Sequence, residues 1–402
     1  MTTDSSHAPD GKLPVPDGDF YGFRQAVPAE EQAVLAKVRA FAEQHVAPII
    51  EKHWADASFP FEIIPKLREL GIAGGGFEGY GCAGGSTLLA GFVNLELARV
   101  DPSIATFFGV HSGLAMGSIY ICGSEEQKAQ WLPAMARWEK LGAFGLTEPL
   151  VGSGASQGLT TTARAAGDVW ILNGQKKWIG NATFSDFTII WAKNVADEQV
   201  KGFIVEKDFS GFHAEKMEHK TALRVEQNAL ITLTDCRVPE SHRLQNDATF
   251  RGTAEVLRMT RAQVAWQAVG CAMGAYEHAV AYAQQREQFG RPIAKFQLVQ
   301  DLLVKMLGNI TASLAMVYRL SQLQDADLMA DEHASLAKAF CTVKMRESVG
   351  FARELLGGNG ILLDHHVARF VADAEAIYSY EGTREMNTLI VGRAITGFGA
   401  FV

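Results

Sequence analysis

A glutamate near the carboxyl end of the chain is a candidate for acid–base chemistry. Glu381 stands between Tyr380 and Gly382, and the apolar residues Ala374 and Ile377 precede it. Burial among apolar groups raises the pKa of a carboxyl group toward the working range of a general base. A solvated glutamate at a helix end fits the same residues, so the local sequence leaves both interpretations open.

A glycine-rich segment in the middle of the chain offers groups that bind a cofactor. Thr147 and Ser153 supply hydroxyl groups, while Gly145, Gly152 and Gly154 leave backbone N–H groups uncovered. Such a segment is able to hold the edge of a flavin ring or a phosphate group. Taken alone, an ordinary loop between two domains is the simpler interpretation.

An aromatic residue follows this segment in a β-rich stretch. Trp178 precedes Ile179, Gly180 and Asn181. A tryptophan in a strand usually packs into a core, and its ring is equally able to support a flat ligand. Taken alone, core packing is the favoured interpretation.

Other kinds of chemistry find no support in the sequence. The eleven histidines form no metal-binding motif, so we predict no metal. The five cysteines are widely separated and form no CxxC pair, which excludes a zinc ribbon and a disulfide framework. The spacing Gly74-x-Gly76-x-x-Gly79 lacks a preceding strand and is interpreted as a loop.

Length and charge limit the class of protein. A chain of 402 residues exceeds one hydrophobic core, so two or three domains are expected. The net charge of −8 argues against nucleic acid or an anionic membrane as partner. No apolar run is expected to be long enough to span a membrane, and neither terminus carries a targeting signal, so a cytoplasmic location is expected.

The elements that must position these residues follow an α, β, α order. We predict an α+β fold with an N-terminal helical domain at 21–140, a middle antiparallel β-barrel or sandwich at 141–250, and a C-terminal helical bundle at 251–402. Residues 1–20 are polar and are predicted to be a disordered lead-in.

Three local patterns predict element ends. Asn173-Gly174 between two β-rich runs predicts a hairpin turn. The first helix is expected to end at Pro48. Ser124 and Gln127 have the spacing of a capping box at a helix start.

Together and in this order, the candidate segments resemble the acyl-CoA dehydrogenase family. The resemblance extends from about residue 30 to residue 401 and is nearest to the glutaryl-CoA dehydrogenases and the plant-type short-chain acyl-CoA oxidases. It also includes Arg286–Gly290, Gln297, Glu354–Gly360 and Gly392-Arg393.

The resemblance implies an FAD enzyme that introduces a trans α,β double bond into an acyl-CoA thioester. Glu381 would remove the α-proton while a hydride leaves the β-carbon for flavin N5. The backbone N–H of this glutamate and a flavin ribityl hydroxyl would polarise the thioester oxygen. FAD would supply the hydride chemistry.

The resemblance also assigns binding roles to further positions. The residues that would contact FAD within one subunit are Leu146, Thr147, Ser153, Trp178, Ile179, Gly180, Thr383 and Glu385. Those that would reach FAD of a neighbouring subunit are Arg286, Phe289, Gln297, Glu354, Gly357 and Gly358. The substrate would contact Thr106, Ser153, Arg261 and Gly382. A shared FAD site implies a homo-oligomer, expected to be a tetramer.

Several positions depart from the family pattern. Ala105 and Ala98 stand where glutaryl-CoA enzymes have an arginine and a glutamate, so no preference for dicarboxylic substrates is expected. Gly180 stands where most dehydrogenases have a threonine, which is expected to leave room beside the flavin and to raise its reactivity with oxygen. Gly154 replaces an aspartate and Glu354 a common glutamine, so the contacts of both are open.

The sequence therefore predicts an FAD-dependent dehydrogenase of short- to medium-chain, non-dicarboxylic acyl-CoA in fatty acid β-oxidation. Its electrons would pass to an electron-transfer flavoprotein. One alternative is a short-chain acyl-CoA oxidase that passes electrons to O2. Another is a family member that binds acyl-CoA or a partner without turnover, although retention of Glu381 argues against it.

Overall fold

A computed structural model describes residues 13–247 and 249–400 of the chain. The first part is helical, and the side-chain oxygens of Ser86 and Asp101 cap the helices that begin directly after them. Its helices are α1 Ala29–Phe41, α2 Ala47–Asp56, α3 Ile64–Leu70, α4 Thr87–Val100, α5 Pro102–Phe108, α6 Met116–Cys122 and α7 Glu125–Ala136.

The middle part holds a seven-stranded sheet. Its elements are β1 Gly142–Gly145, α8 Ala155–Gly158, β2 Thr162–Ala166, β3 Val169–Gly180, β4 Phe187–Asn194, β5 Val200–Glu206, β6 Phe212–Lys216 and β7 Asn228–Pro239. The strand order is β1-β4-β2-β3-β7-β6, and β5 pairs with β4. The pairs β1–β4 and β2–β4 are parallel and the remaining pairs are antiparallel.

The last part is a helical bundle around one long helix, α9. Its elements are α9 Phe250–Gln285, β8 Glu287–Gln288, β9 Arg291–Pro292, α10 Gln297–Asp325, α11 Asp331–Leu355, α12 Val367–Ser379 and α13 Arg384–Thr396. Helix α9 packs against α4, α10, α11 and α12, and small residues such as Gly270 and Ala268 allow this close approach. The predicted α, β, α fold is confirmed.

The predicted hairpin at Asn173-Gly174 is wrong. Strand β3 runs through both residues without a turn, and its pairing with β7 shifts register there. Gly174 has φ +143°, and a Cβ on it would lie 2.7 Å from the Cα of Thr161. The glycine is therefore required for a bulge and a close backbone approach, while the chain reverses at Gly167.

The first helix does not end at Pro48. A π-helical turn at Ala42–Val46 separates α1 from α2, and Pro48 lies in the first turn of α2. The helix is continuous here, and the wider π-helical turn directly before Pro48 accommodates the proline ring and its missing N–H group. The capping box of Ser124 and Gln127 is confirmed.

The helical stretch Pro102–Cys122 corrects the expectation about apolar runs. By length and composition it is long enough to cross a membrane, but 72% of its most apolar window is buried inside the fold. It consists of α5, a π-helical turn at Gly109–Ala115 and α6. Such burial is typical of a core helix.

The end of the expected disordered lead-in has defined contacts. The backbone N–H of Gly18 donates to Glu277 over 3.2 Å, and the carboxylate of Asp19 accepts from the backbone N–H groups of Phe23 and Arg24. These contacts differ from the disorder expected at these positions, and residues 1–12 lie outside the described residues.

Candidate active site

Glu381 lies on a strained turn between α12 and α13. Its φ of +53° is left-handed, which a glutamate rarely adopts, and Gly382 follows with φ +82°. The ammonium group of Lys338 on α11 donates to the carbonyl oxygens of Tyr378 and Gly382, both over 2.8 Å. This buried lysine therefore fixes the turn from both sides of the glutamate.

The carboxyl group of Glu381 has one hydrogen-bond donor among the described side chains. The hydroxyl of Thr260 on α9 donates to its Oε2 over 3.2 Å. Burial raises the pKa of Glu381 to about 7, although Arg261, Thr260 and Lys338 each oppose that rise. The half-buried position, the hydrogen bond and the raised pKa agree with a partly desolvated base better than with a fully solvated helix-end glutamate.

A buried lysine and a half-buried arginine interact electrostatically with this carboxyl group. Burial lowers the pKa of Lys338 to about 7, and the charge of Glu381 opposes that fall. Burial also lowers the pKa of Arg261, whose Nη1 donates to Ser335 over 3.4 Å. The Nε of Arg261 is itself buried and has no hydrogen-bond partner among the described residues.

A chain of buried polar side chains continues from the neighbouring tyrosine. The hydroxyl of Tyr380 donates to Gln267 over 2.7 Å and lies 3.4 Å from the hydroxyl of Thr106. Gln267 in turn donates to the side chain of Asn94 and to the carbonyl of Ala105. These contacts bring the predicted substrate residue Thr106 next to the turn that carries Glu381.

The glycine-rich segment is tied to strand β3 by a buried ion pair. Lys176 donates to Glu148 over 2.8 Å and to the carbonyl of Leu146 over 3.0 Å. The backbone N–H of Lys177 donates to the carbonyl of Thr147 over 2.8 Å. The structure therefore brings Leu146 and Thr147 together with the residues 178–180 that follow on β3.

Opposing effects act on this ion pair. Burial raises the pKa of Glu148, but Lys176 and the donors at Thr160 and Thr161 outweigh it and lower the value to about 2. Burial lowers the pKa of Lys176 to about 8 against the pull of Glu148. The pair is ionised near neutral pH, and the segment is held firmly to the sheet.

Trp178 is not a core residue. Its side chain is 55% exposed, and its φ is +66° at a bulge in the pairing of β3 with β7. Ile179 is buried beneath it, and Asn181, with φ +67°, donates to the carbonyl of Phe107 on α5 over 3.1 Å. An exposed aromatic face beside the first helical region fits a platform for a flat ring.

The space beside Gly180 is filled and not open. A Cβ at this position would overlap Oε1 of Glu226 and approach the side chain of Val110 to 3.2 Å. Glu226 is 1% exposed, and neither carboxyl oxygen has a hydrogen-bond partner among the described residues. The expectation that Gly180 leaves empty room is therefore wrong, because a carboxyl group occupies that room.

A second group of predicted residues lies together in the C-terminal bundle. Arg286, Phe289, Gly357 and Gly358 line one cleft of about 410 Å³. Gln297 begins α10 and Glu354 stands near the end of α11; both are exposed, outside the residues that line the cleft.

The remaining predicted residues have simple surroundings. Ser153 is exposed in the turn before α8, and a Cβ on Gly152 or Gly154 would meet nothing within 4 Å. Thr383 caps α13 by accepting from the backbone N–H of Met386. Glu385 is exposed and pairs with Arg384 over 2.8 Å.

Four residues near the site are absent from the set predicted from the sequence: Thr260, Gln267, Lys338 and Glu226. Thr260 and Gln267 are seven residues apart on α9, which places them on one face of that helix. The seven-residue spacing therefore indicates in the sequence that Thr260 and Gln267 share a helix face. Lys338 and Glu226 come from separate elements, and no local pattern distinguishes them from surface charges.

Comparison with known proteins gives a consistent result over the whole chain. Three family profiles match: Acyl-CoA dehydrogenase, N-terminal domain, at residues 28–139; middle domain at 143–236; and C-terminal domain at 250–396. An acyl-CoA dehydrogenase of Bacillus subtilis is 34% identical over 374 residues, 92% of this chain and 98% of that protein.

Two further comparisons bear on the substrate. A short-chain specific acyl-CoA dehydrogenase of Clostridium acetobutylicum is 34% identical over 91% of this chain and 98% of that protein. The solved structure of a glutaryl-CoA dehydrogenase from Mycobacterium smegmatis in complex with FADH2 has a TM-score of 0.93 and 34% identity, and the match covers 97% of this chain and 100% of that one.

Proposed function

The chain belongs to the acyl-CoA dehydrogenase family, and we propose that it oxidises a short- to medium-chain, non-dicarboxylic acyl-CoA to the trans-2-enoyl-CoA. It is an FAD-dependent oxidoreductase. The observation that carries the proposal is the half-buried carboxyl group of Glu381, held on a strained turn with its pKa raised to about 7.

The described residues fit FAD. Trp178 presents an exposed ring face, the turn at Gly152 to Gly154 is open, and the cleft at Arg286 offers a planar guanidinium group for phosphate oxygens. When bound, FAD supplies the acceptor for the hydride that leaves the substrate β-carbon.

Residues of the chain handle the proton. Ionised Glu381 takes the α-proton and becomes the neutral acid, which its buried position favours. Arg261 and Lys338 oppose that neutralisation, so they keep a fraction of the carboxyl group ionised near pH 7. The Thr260 hydroxyl orients the carboxyl group through Oε2.

The surroundings of Ala105 support a substrate without a distal carboxylate. Ala98 and Ala105 are fully buried, and a Cβ on Gly270 would lie 2.9 Å from that of Ala98. No cation stands at either position to pair with a second carboxylate, and an unpaired buried charge is costly. This differs from the substrate named for the glutaryl-CoA dehydrogenase neighbour.

A short acyl group is supported by the polar network and a large side chain. Asn94, Gln267 and Tyr380 form a hydrogen-bonded polar network that reaches Thr106. Trp266 fills the neighbouring space so closely that Gly91 has no room for a side chain. Long apolar tails gain nothing from a polar barrier, so we expect faster turnover of butyryl-CoA than of palmitoyl-CoA.

We propose an electron-transfer flavoprotein as the electron acceptor. The oxidase alternative depended on free space at Gly180, and the carboxyl group of Glu226 fills that space. A cytoplasmic location and a place in fatty acid β-oxidation remain parts of this proposal.

A homotetramer is also proposed. The cleft lined by Arg286 and Phe289 lies on the C-terminal bundle, and Phe289 is 92% exposed there. The resemblance assigns these residues to FAD of a neighbouring subunit. Analytical ultracentrifugation is expected to give four times the chain mass, and a monomer that holds FAD would contradict this part.

One experiment tests the central proposal. The visible spectrum of the purified protein is recorded while butyryl-CoA, and in parallel glutaryl-CoA, is added without oxygen, and air is then admitted. We expect rapid bleaching of the flavin band with butyryl-CoA and recovery only with an added electron acceptor. Prompt recovery in air with peroxide would establish the oxidase. Faster bleaching with glutaryl-CoA would contradict the substrate assignment, and absence of a flavin band would favour a non-catalytic protein.

A further inference from the structure

Glu226 is a buried carboxyl group that no step above uses. It lies on the loop before β7, and its backbone carbonyl accepts from Lys220 over 2.6 Å. Lys220 also donates to the carbonyl of Leu223 and to the side chain of Asn228. Both carboxyl oxygens lack a hydrogen-bond partner among the described residues.

Such a group is expensive to bury without a partner. A buried polar group that makes no hydrogen bond costs about 1–3 kcal/mol. Burial raises the pKa of Glu226, which favours the neutral acid, although Lys220 and the side chain of Asn228 oppose that rise. The structure therefore holds a carboxyl group with hydrogen-bonding capacity available to a ligand.

The position of this group identifies the ligand. Its Oε1 occupies the volume that a side chain at Gly180 would take, at the end of the strand segment that carries Trp178. Asn181, next to Gly180, also has a buried Oδ1 with no partner among the described residues. Unfilled polar capacity is thus concentrated beside the residues proposed to face the flavin ring.

We propose that the carboxyl group of Glu226 hydrogen-bonds the flavin ring at the position where Gly180 presents no side chain. A neutral carboxyl group donates through its O–H and accepts through its C=O. It therefore matches a ring nitrogen that accepts a hydrogen bond when FAD is oxidised and donates one when FAD is reduced. The inference rests on the proposed flavin site.

The test compares Glu226→Ala and Glu226→Gln with the wild-type protein, without substrate. Flavin absorbance, FAD content and midpoint potential are measured, and Glu215→Ala, which removes an exposed carboxylate from β6, is the matched control. Glu226→Ala is expected to shift the visible flavin band and to change the equilibrium constant for two-electron reduction about tenfold, or about 30 mV. Glu226→Gln, which keeps a donor and an acceptor, restores most of both values.

Two outcomes would overturn the inference. If Glu226→Ala, Glu226→Gln and Glu215→Ala all leave the band and potential at wild-type values, Glu226 does not meet the flavin. If, in a parallel titration with butyryl-CoA, the alanine variant changes only the affinity for this substrate, the carboxyl group belongs to the acyl site. Thermal unfolding of each variant verifies folding. Absence of FAD from the wild-type protein would instead refute the proposed function, so the two failures are distinguishable.

Discussion

Two carboxyl groups in the C-terminal bundle, the buried Asp373 and the half-buried Glu381, have the same raised pKa but different surroundings. Burial raises the pKa of both Glu381 and Asp373 to about 7, and for Asp373 the nearby Asp101 adds to the rise. Asp373 accepts hydrogen bonds from Trp54, from the backbone of Leu223 and from Ser103, which come from both preceding domains.

Glu381 accepts one hydrogen bond from a described side chain and lies on a left-handed turn beside an unpartnered arginine nitrogen. The difference shows that a raised pKa does not by itself identify a catalytic group. Unfilled hydrogen-bonding capacity and local strain distinguish the reactive carboxyl group, while filled capacity marks the one that joins domains.

The largest expected effect comes from Glu381→Gln. The amide keeps the shape but cannot accept a proton, so the rate of flavin bleaching by butyryl-CoA is expected to fall about 10²–10⁴-fold. FAD content and thermal stability should stay near wild type. Glu375→Gln, an exposed neighbour on α12, serves as the control and should retain full activity. Substantial residual bleaching in Glu381→Gln would mean that another group is the base.

The same chemical change at Asp373 should act on stability instead. Asp373→Asn places an N–H group against the donors from Trp54 and Ser103, which is expected to lower the free energy of unfolding by about 1–3 kcal/mol. Denaturant unfolding measures this change, with the exposed Asp364→Asn as control. Activity per bound flavin should be unchanged; a loss equal to that of Glu381→Gln would erase the distinction between the two sites.

The pH dependence of the wild-type enzyme should report Glu381. Its carboxyl group acts as a base only when ionised, and the pKa is raised to about 7. The bleaching rate is therefore expected to rise about tenfold per pH unit below pH 7 and to level off above it. Stopped-flow measurements across this range test the expectation. If the acidic limb of the pH–rate profile were centred near the ordinary pKa of a glutamate, burial would not control the pKa of the base.

The smallest expected effect is that of Thr260→Val. The hydroxyl of Thr260 favours the ionised form of Glu381, so its removal should move the acidic limb to higher pH. One hydrogen bond is worth about 0.5–1.5 kcal/mol, which corresponds to roughly half a pH unit to one unit. Thr253→Val, which removes another buried hydroxyl from α9, is the matched control and should leave the limb in place.

The fold and part of the site were predictable from the local sequence. The α, β, α order follows from periodicity and turn residues. In the Tyr-Glu-Gly-Thr segment, Gly382 favours the turn on which Glu381 lies. Asn173-Gly174 was misassigned because a bulge with close backbone contact and a hairpin turn select the same residue type. Sequence spacing alone did not distinguish these two uses of glycine.

The rest of the site depends on distant elements that meet only after folding. Thr260, Lys338 and Glu381 come from α9, from α11 and from the turn before α13. Glu226 likewise contacts the space beside Gly180 although it lies on a loop 46 positions after the end of β3. Such pairings arise from tertiary packing, which no short window of sequence records.

The overlap between position 180 and Glu226 also constrains how this protein changes over evolutionary time. A side chain added at Gly180 meets the end of the buried Glu226 side chain, so its effect depends on how far that carboxyl group shifts aside. A smaller residue at position 226 removes this contact. The two positions are therefore expected to be epistatic: the effect of a substitution at position 180 depends on the residue at position 226.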